Sequence, residues 1–178
     1  MIKLKKKQYK CRGKIDKFLE EVILEENNIK PPGEKSLGDA YLDEHTAIDV
    51  KSIDMDGDFH MGNLASQQKI RKWLQDKRNS LLFFFIEYTE NDGVVAINST
   101  QLKHIEEIHP DSLAIRAQGR GVMQINNWDK IQFIEKMDRE EWFKTVYAPK
   151  ALEYCDKEEI KIKELRGVIK DLYEKQGC

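Results

Sequence analysis

Two aspartates and a lysine on neighbouring predicted strands could hold a divalent metal ion. Asp49 and Lys51 alternate with Ile48 and Val50, so in a strand their side chains point to one face and the apolar pair to the other. Asp39 lies ten residues before Asp49, in the segment that would pair with it. Two carboxylates close together suit Mg²⁺, which keeps several waters for a phosphate group. The alternative is an ordinary surface ion pair between Asp49 and Lys51, which contributes little.

The chain before residue 99 alternates between helical and strand patterns that would position these residues. Apolar side chains at spacings of three and four predict the first helix, and Pro31-Pro32-Gly33 ends it. The continuously apolar run at 81–86 is typical of a strand covered on both faces. The predicted helices span 13–28 and 64–78, and the predicted strands span 36–42, 46–53, 80–88 and 94–98.

The second half of the chain is predicted to add further strands and helices. Ser99 or Thr100 could cap a helix that runs through Ile108 and is closed by Pro110. Strands are expected at 113–118 and 122–125, and helices at 138–144 and 158–175. This order of elements predicts an α/β fold with a central mixed β-sheet flanked by helices.

Length and composition predict a single domain over residues 1–178 that is soluble and globular. The net charge of −2 excludes a uniformly basic nucleic-acid coat, although a local basic cleft remains compatible with it. Three cysteines without C-x-x-C spacing, and no signal peptide, favour the reducing cytoplasm. The most apolar run is too short to span a membrane, and no P-loop sequence indicates a nucleotide cofactor.

The spacing of Asp39 from Ile48-Asp49-Val50-Lys51 resembles the PD-(D/E)xK nuclease superfamily and, within it, the small type II restriction endonucleases. Two departures are that Gly38 stands where the motif has proline, and that Asp49 stands where glutamate is commoner. The resemblance implies a restriction-endonuclease-like core. Residues 13–98 would be the catalytic core, and residues 99–178 would supply DNA-recognition and dimerisation elements.

The resemblance also implies roles for the residues of the motif. Asp39, Asp49 and the carbonyl group of Val50 would hold Mg²⁺, and Lys51 would orient or deprotonate the attacking water. Many members add a glutamate from the first helix. Glu21 is our candidate because it flanks the apolar stripe, and the other acidic residues considered there are Glu20 and Glu25. Ordinary solvated helix charges are the alternative explanation for all three.

DNA contacts are expected from two polar regions. The helix that follows the catalytic strand lines the DNA side in the family, which makes Gln68, Arg71 and Lys72 candidates for backbone contacts. Arg116 and Arg120 flank a glycine-rich turn that could enter a groove. A solvated helix face and a plain hairpin tip explain the same residues without DNA.

The resemblance predicts a type II restriction endonuclease that hydrolyses double-stranded DNA at a short sequence with Mg²⁺. A palindromic site requires two-fold symmetry, so a homodimer is expected. The apolar C-terminal helices could form its interface or pack on their own core. The alternatives are a DNA repair nuclease or junction resolvase of the same superfamily, and a non-catalytic DNA-binding domain.

Overall fold

Eight strands and four helices form the fold in the computed structural model, which describes residues 7–11, 13–29, 37–57, 63–116, 121–125 and 131–176. The strands are β1 (Gln8–Lys10), β2 (Ala40–Asp43), β3 (Thr46–Asp54), β4 (Asn63–Ser66), β5 (Ser80–Asn91), β6 (Val94–His104), β7 (Leu113–Arg116) and β8 (Val122–Ile125). The helices are α1 (Ile15–Glu26), α2 (Gln67–Leu74), α3 (Arg139–Trp142) and α4 (Ala148–Gln176).

The central sheet has five strands in the order β1-β6-β5-β3-β2. The pair β3 and β5 is parallel, and the other neighbours are antiparallel, so the sheet is mixed. A parallel pair needs a crossover connection, and the segment that contains β4 and α2 supplies it. A smaller antiparallel sheet has the order β4-β8-β7.

Each face of the central sheet has its own apolar core. On one face, Leu19 and Ile23 of α1 pack with Ile48 of β3 and Phe84 of β5. The opposite face packs against α2, the smaller sheet and α3 through a larger cluster of side chains, which includes Ala47, Ile70, Leu74, Phe83, Met123 and Trp142. Because β5 is covered on both faces, its sequence from Leu81 to Ile86 is continuously apolar, whereas β3 alternates apolar residues with Asp49 and Lys51.

The structure confirms the predicted fold class and most of the predicted strands. The hairpin at 36–42 and 46–53 is present as β2 and β3, and Asp92 and Gly93 form the turn between β5 and β6 with positive φ angles. The helix predicted from Ser99 or Thr100 to Ile108 is wrong. β6 continues to His104, paired with β5, and only a 3₁₀ turn over Ile105–Glu107 follows.

Three other predicted helices differ in their bounds. The helix expected from residue 64 begins at Gln67, because Asn63–Ser66 is drawn into the smaller sheet as β4. The helices predicted at 138–144 and 158–175 are one continuous helical segment, in which α3 passes through a π-helical turn at Phe143–Tyr147 into α4. Asp138 caps its start by accepting hydrogen bonds from two backbone amides. Over the described ranges, no helix is long and apolar enough to cross a membrane.

Candidate active site

The hairpin of β2 and β3 brings Asp39 against the middle of β3. The backbone N–H of Asp39 donates to the carbonyl oxygen of Ile48 at 2.8 Å. Its side-chain Oδ2 accepts a hydrogen bond from the backbone N–H of Val50 at 2.7 Å. Asp39 therefore lies immediately before β2, rather than inside the predicted strand, and its carboxyl group is held over β3 by both contacts.

Gly38 makes this close approach possible. A Cβ atom at position 38 would lie 2.3 Å from the carbonyl oxygen of Ile48 and 2.8 Å from its carbonyl carbon. Both distances are too short for any side chain, and both atoms belong to the backbone of a buried strand. Glycine at position 38 is therefore what allows Asp39 to lie against β3.

Asp49 and Lys51 form an ion pair in a largely buried setting. They share the face of β3 that carries Ala47, as the alternation of a strand requires. The Nζ atom of Lys51 donates to Oδ1 of Asp49 at 2.8 Å, and the two side chains are only 16% and 8% exposed. This burial distinguishes the pair from the solvated surface ion pairs that contribute little to stability.

The pKa of Asp49 is raised to about 7, and burial is the largest cause. The positive charge of Lys51 lowers the pKa, whereas a hydrogen bond and charge repulsion from the carboxyl group of Asp39 raise it. The charge of Lys51 thus does not offset the burial of Asp49 beside a second carboxyl group. A divalent cation would favour the ionised form of both, so this pair of oxygen donors fits Mg²⁺.

The donor set contains two acidic side chains. Over the described residues, no group of three or more histidine, cysteine, aspartate or glutamate side chains is placed to hold a metal ion. Further ligands to an ion at Asp39 and Asp49 would be the backbone carbonyl of Val50 and water. Such a set suits Mg²⁺, which is commonly bound through one or two carboxylates, and does not suit structural zinc.

Glu20 of α1 interacts electrostatically with Asp39 and Lys51. Burial raises the pKa of Glu20, the charge of Asp39 raises it further, and the charge of Lys51 lowers it. Glu21 is exposed. Asp16, four residues before Glu20 and so on the same side of α1, accepts a hydrogen bond from Ser52 Oγ at 2.6 Å. Glu20, one of the three acidic residues considered in the first helix, is therefore the one that the structure couples to Asp39 and Lys51, and the role of Glu21 stays a prediction.

The predicted DNA-contacting residues lie in separate places. Gln68, Arg71 and Lys72 are exposed on α2. Burial raises the pKa of the Tyr147 hydroxyl group, and the positive charge of Arg71 lowers it. Lys72 lines a cleft of about 290 Å³ beside the chain that leads into Asp39, and the other lining residues are Leu37, Tyr41, Lys69, Trp73 and Asn79.

The second predicted DNA-contacting region is only partly described. Arg116 is exposed at the end of β7, and it lines a groove of about 260 Å³ with Lys150 and Lys157 of α4. Arg120 lies outside the described residues. The two lysines were not predicted, because only the packing of α4 beside β7 brings them near Arg116.

Comparisons with known proteins find similarity in structure alone. No family model matches the chain, and no curated protein matches its sequence. By contrast, 38 chains of solved structures match its fold. One is NlaIV restriction endonuclease, with a TM-score of 0.54 and 14% sequence identity over 80% of this chain. The match covers 66% of that enzyme, slightly under two thirds of its length. At this identity the likeness establishes a restriction-endonuclease-like fold.

Proposed function

We propose that this chain is a Mg²⁺-dependent endonuclease of the PD-(D/E)xK superfamily that cuts double-stranded DNA at a short specific sequence, as type II restriction endonucleases do. The observation that carries the proposal is the convergence of Asp39, Asp49 and Lys51 on one point of β3. The similarity of the fold to a restriction endonuclease supports it. Burial of Asp49, which raises its pKa, supports it further, because perturbed acidic groups concentrate at functional sites.

In this proposal, Asp39, Asp49 and the carbonyl of Val50 hold Mg²⁺, which when bound supplies Lewis-acid stabilisation of charge on the phosphate and a more acidic water. Lys51 orients the attacking water and stabilises the negative charge that develops on the phosphate. Its contact with Asp49 keeps the ammonium group in place for that task. Glu20 takes the role that the family gives to a glutamate of the first helix.

We assign DNA contacts to exposed polar residues of α2 and β7. We assign Gln68 and Lys72 to the phosphate backbone, and the cleft that Lys72 lines with Leu37 and Tyr41 supports the choice of Lys72. Arg71, exposed on the same helix, is a third candidate for phosphate contact. Arg116 is assigned to a groove of the DNA, and Arg120 stays a prediction.

A homodimer and a cytoplasmic location complete the proposal. Two copies related by a two-fold axis would each cut one strand of a palindromic site. The thiols of Cys11 and Cys155 are free, in line with a reducing compartment.

Digestion of unmethylated phage DNA in the presence of Mg²⁺ tests the function directly. Discrete bands are expected from the wild-type protein and none from Asp49→Asn. Asp92→Asn is the matched control, because it makes the same chemical change in a hairpin turn that favours asparagine. Retained cleavage by Asp49→Asn, or no cleavage by the wild type, would refute the proposal.

The same assay separates the related activities. A smear of products would indicate a nuclease without sequence specificity. Selective cutting of a four-way junction would indicate a resolvase of the same superfamily. DNA binding that needs no Mg²⁺ and leads to no cleavage would indicate a non-catalytic binding domain.

A further inference from the structure

The segment that carries Asp39 is tied to β2 by a side chain outside the proposed catalytic set. The hydroxyl oxygen of Tyr41 accepts a hydrogen bond from the backbone N–H of Leu37 at 2.9 Å. Tyr41 belongs to β2, so this bond closes a short loop around Gly38 and Asp39. The register of β2 with β3 begins at Ala40, one residue after Asp39. The loop therefore carries Asp39 into the site just beyond the end of the paired strand.

The ring of Tyr41 is held in place by a second aromatic side chain. It meets the ring of Trp73 edge to face, with centroids 5.7 Å apart and an angle of 70° between the planes, a geometry that aromatic pairs prefer. The indole N–H of Trp73 donates to the carbonyl oxygen of Ser80, at the start of β5, at 3.0 Å. Both rings also pack against the core. The hydroxyl group of Tyr41 is thus held at a defined position by α2 and β5.

We propose that Tyr41 is a positioning residue for Asp39 and, through it, for the Mg²⁺ site of the proposed function, on which this inference rests. Its bond with Leu37 fixes the chain two residues before Asp39, and the bond to the Ile48 carbonyl fixes Asp39 itself. In this arrangement Oδ2 of Asp39 accepts the backbone N–H of Val50 at 2.7 Å. Without the hydroxyl group of Tyr41, Leu37 loses this bond, and the carboxyl group of Asp39 gains freedom to leave β3.

The carboxyl group of Asp39 needs such support because it lies beside a second acidic group. Asp39 and Asp49 repel each other when both are ionised. A residue that holds Asp39 in place against this repulsion keeps both oxygen donors arranged for the ion before it binds. Replacing a residue that orients a metal ligand typically lowers metal affinity or activity by about 10–100-fold.

Amide hydrogen exchange in the metal-free, full-length chain tests the positioning without any cleavage. Tyr41→Phe removes the hydroxyl group and keeps the ring against Trp73. The backbone N–H of Val50 is expected to exchange about tenfold faster in this variant than in the wild type, because its bond to Asp39 opens more often. The N–H of Phe84, which lies opposite Val50 in β5, should exchange at the wild-type rate.

Tyr9→Phe is the matched control for this measurement. The hydroxyl group of Tyr9 donates to Glu26 at 2.9 Å, and β1, which contains Tyr9, lies at the opposite edge of the central sheet from β2. The control should leave the exchange of Val50 unchanged. Unchanged exchange of Val50 in Tyr41→Phe would overturn the proposal. Equal acceleration of Val50 and Phe84 would also overturn it, because that result indicates a general loss of stability.

The Mg²⁺ dependence of single-turnover cleavage tests the consequence for the metal site. Tyr41→Phe is expected to need about tenfold more Mg²⁺ than the wild type for its half-maximal rate. At saturating Mg²⁺ its rate should come within about threefold of the wild-type rate, because Asp39 is then held as a metal ligand. An unchanged Mg²⁺ requirement, or a rate that saturating Mg²⁺ does not restore, would overturn the proposal. A wild-type chain that does not cleave would refute the proposed function instead, and the exchange measurement would still show whether Tyr41 positions Asp39.

Discussion

Replacing Gly38 with alanine should disable the proposed catalytic centre while leaving the fold in place. The new Cβ would lie 2.3 Å from the carbonyl oxygen of Ile48, an atom of the buried strand β3 that cannot move aside. The chain at Gly38 would therefore have to withdraw by roughly 1 Å. That withdrawal would strain both contacts that hold Asp39, the one to the Ile48 carbonyl and the one to the Val50 amide.

A misplacement of about 1 Å at a catalytic group costs about 10²-fold in rate. Overpacking of this kind also lowers the free energy of unfolding by about 1–3 kcal/mol. Gly38→Ala is therefore expected to cleave about a hundredfold more slowly than the wild type, with a modest loss of stability and an unchanged overall structure.

The assay is single-turnover cleavage of a duplex that contains the recognition site, with thermal unfolding measured in parallel. Gly167→Ala is the matched control, because a Cβ at that helical position meets nothing within 4 Å. It should cleave at the wild-type rate. Cleavage by Gly38→Ala within about threefold of wild type, well under the predicted loss, would show that the position of Asp39 does not govern the reaction.

Three other predictions concern the same site. Lys51→Ala should lower the single-turnover rate by about 10²–10³-fold and leave DNA affinity nearly unchanged in a gel-shift assay. In the metal-free protein Asp49 should titrate near pH 7, so the folded state binds this proton more tightly than the unfolded state does. The stability it contributes is present below about pH 4 and is lost as the pH rises to 7, and urea unfolding should show this slope in the wild type but not in Asp49→Asn. Finally, Glu20→Gln should reduce the cleavage rate more than Glu21→Gln, and equal effects would contradict the assignment of Glu20.

Local patterns predicted the parts of the fold that local interactions determine. Alternation over β3 and the continuous apolar run of β5 identified the two strands, because burial on each face acts directly on residue type. The turn at Asp92 and Gly93 was readable because both residues tolerate positive φ.

The predicted elements were wrong where pairing with a strand distant in the sequence overrides the local preference for a helix. Ser99 and Thr100 are good helix caps, but they lie opposite Glu87 and Ile86 of β5 and are held in β6 by that pairing. Asn63–Ser66 is extended because it pairs with β8, which lies far along the chain. No local pattern records a partner strand at that distance.

The candidate site was predictable in its chemistry and less so in its geometry. The alternation of Asp49 and Lys51 placed both on one face, and the distance to Asp39 suggested a paired strand. The need for Gly38 depends on a contact with Ile48 that exists only after the hairpin forms. The choice between Glu20 and Glu21 depends on the rotation of α1 about its own axis. Consecutive residues of a helix point in different directions, and the sequence does not show which of the two directions faces β3.

Gln67 joins three elements of the molecule at one buried point. Its side-chain oxygen accepts a hydrogen bond from the hydroxyl group of Tyr147, at the base of α4. Its backbone N–H donates to the carbonyl of Gly121, next to β8, at 2.9 Å. Breaking these bonds would leave unpaired polar groups in the interior at a cost of about 1–3 kcal/mol each. These two hydrogen bonds thus fix the start of the long helix against α2 and the chain next to β8. A displacement of Tyr147 would therefore act on Gln67 and, through its backbone bond to Gly121, on the chain next to β8.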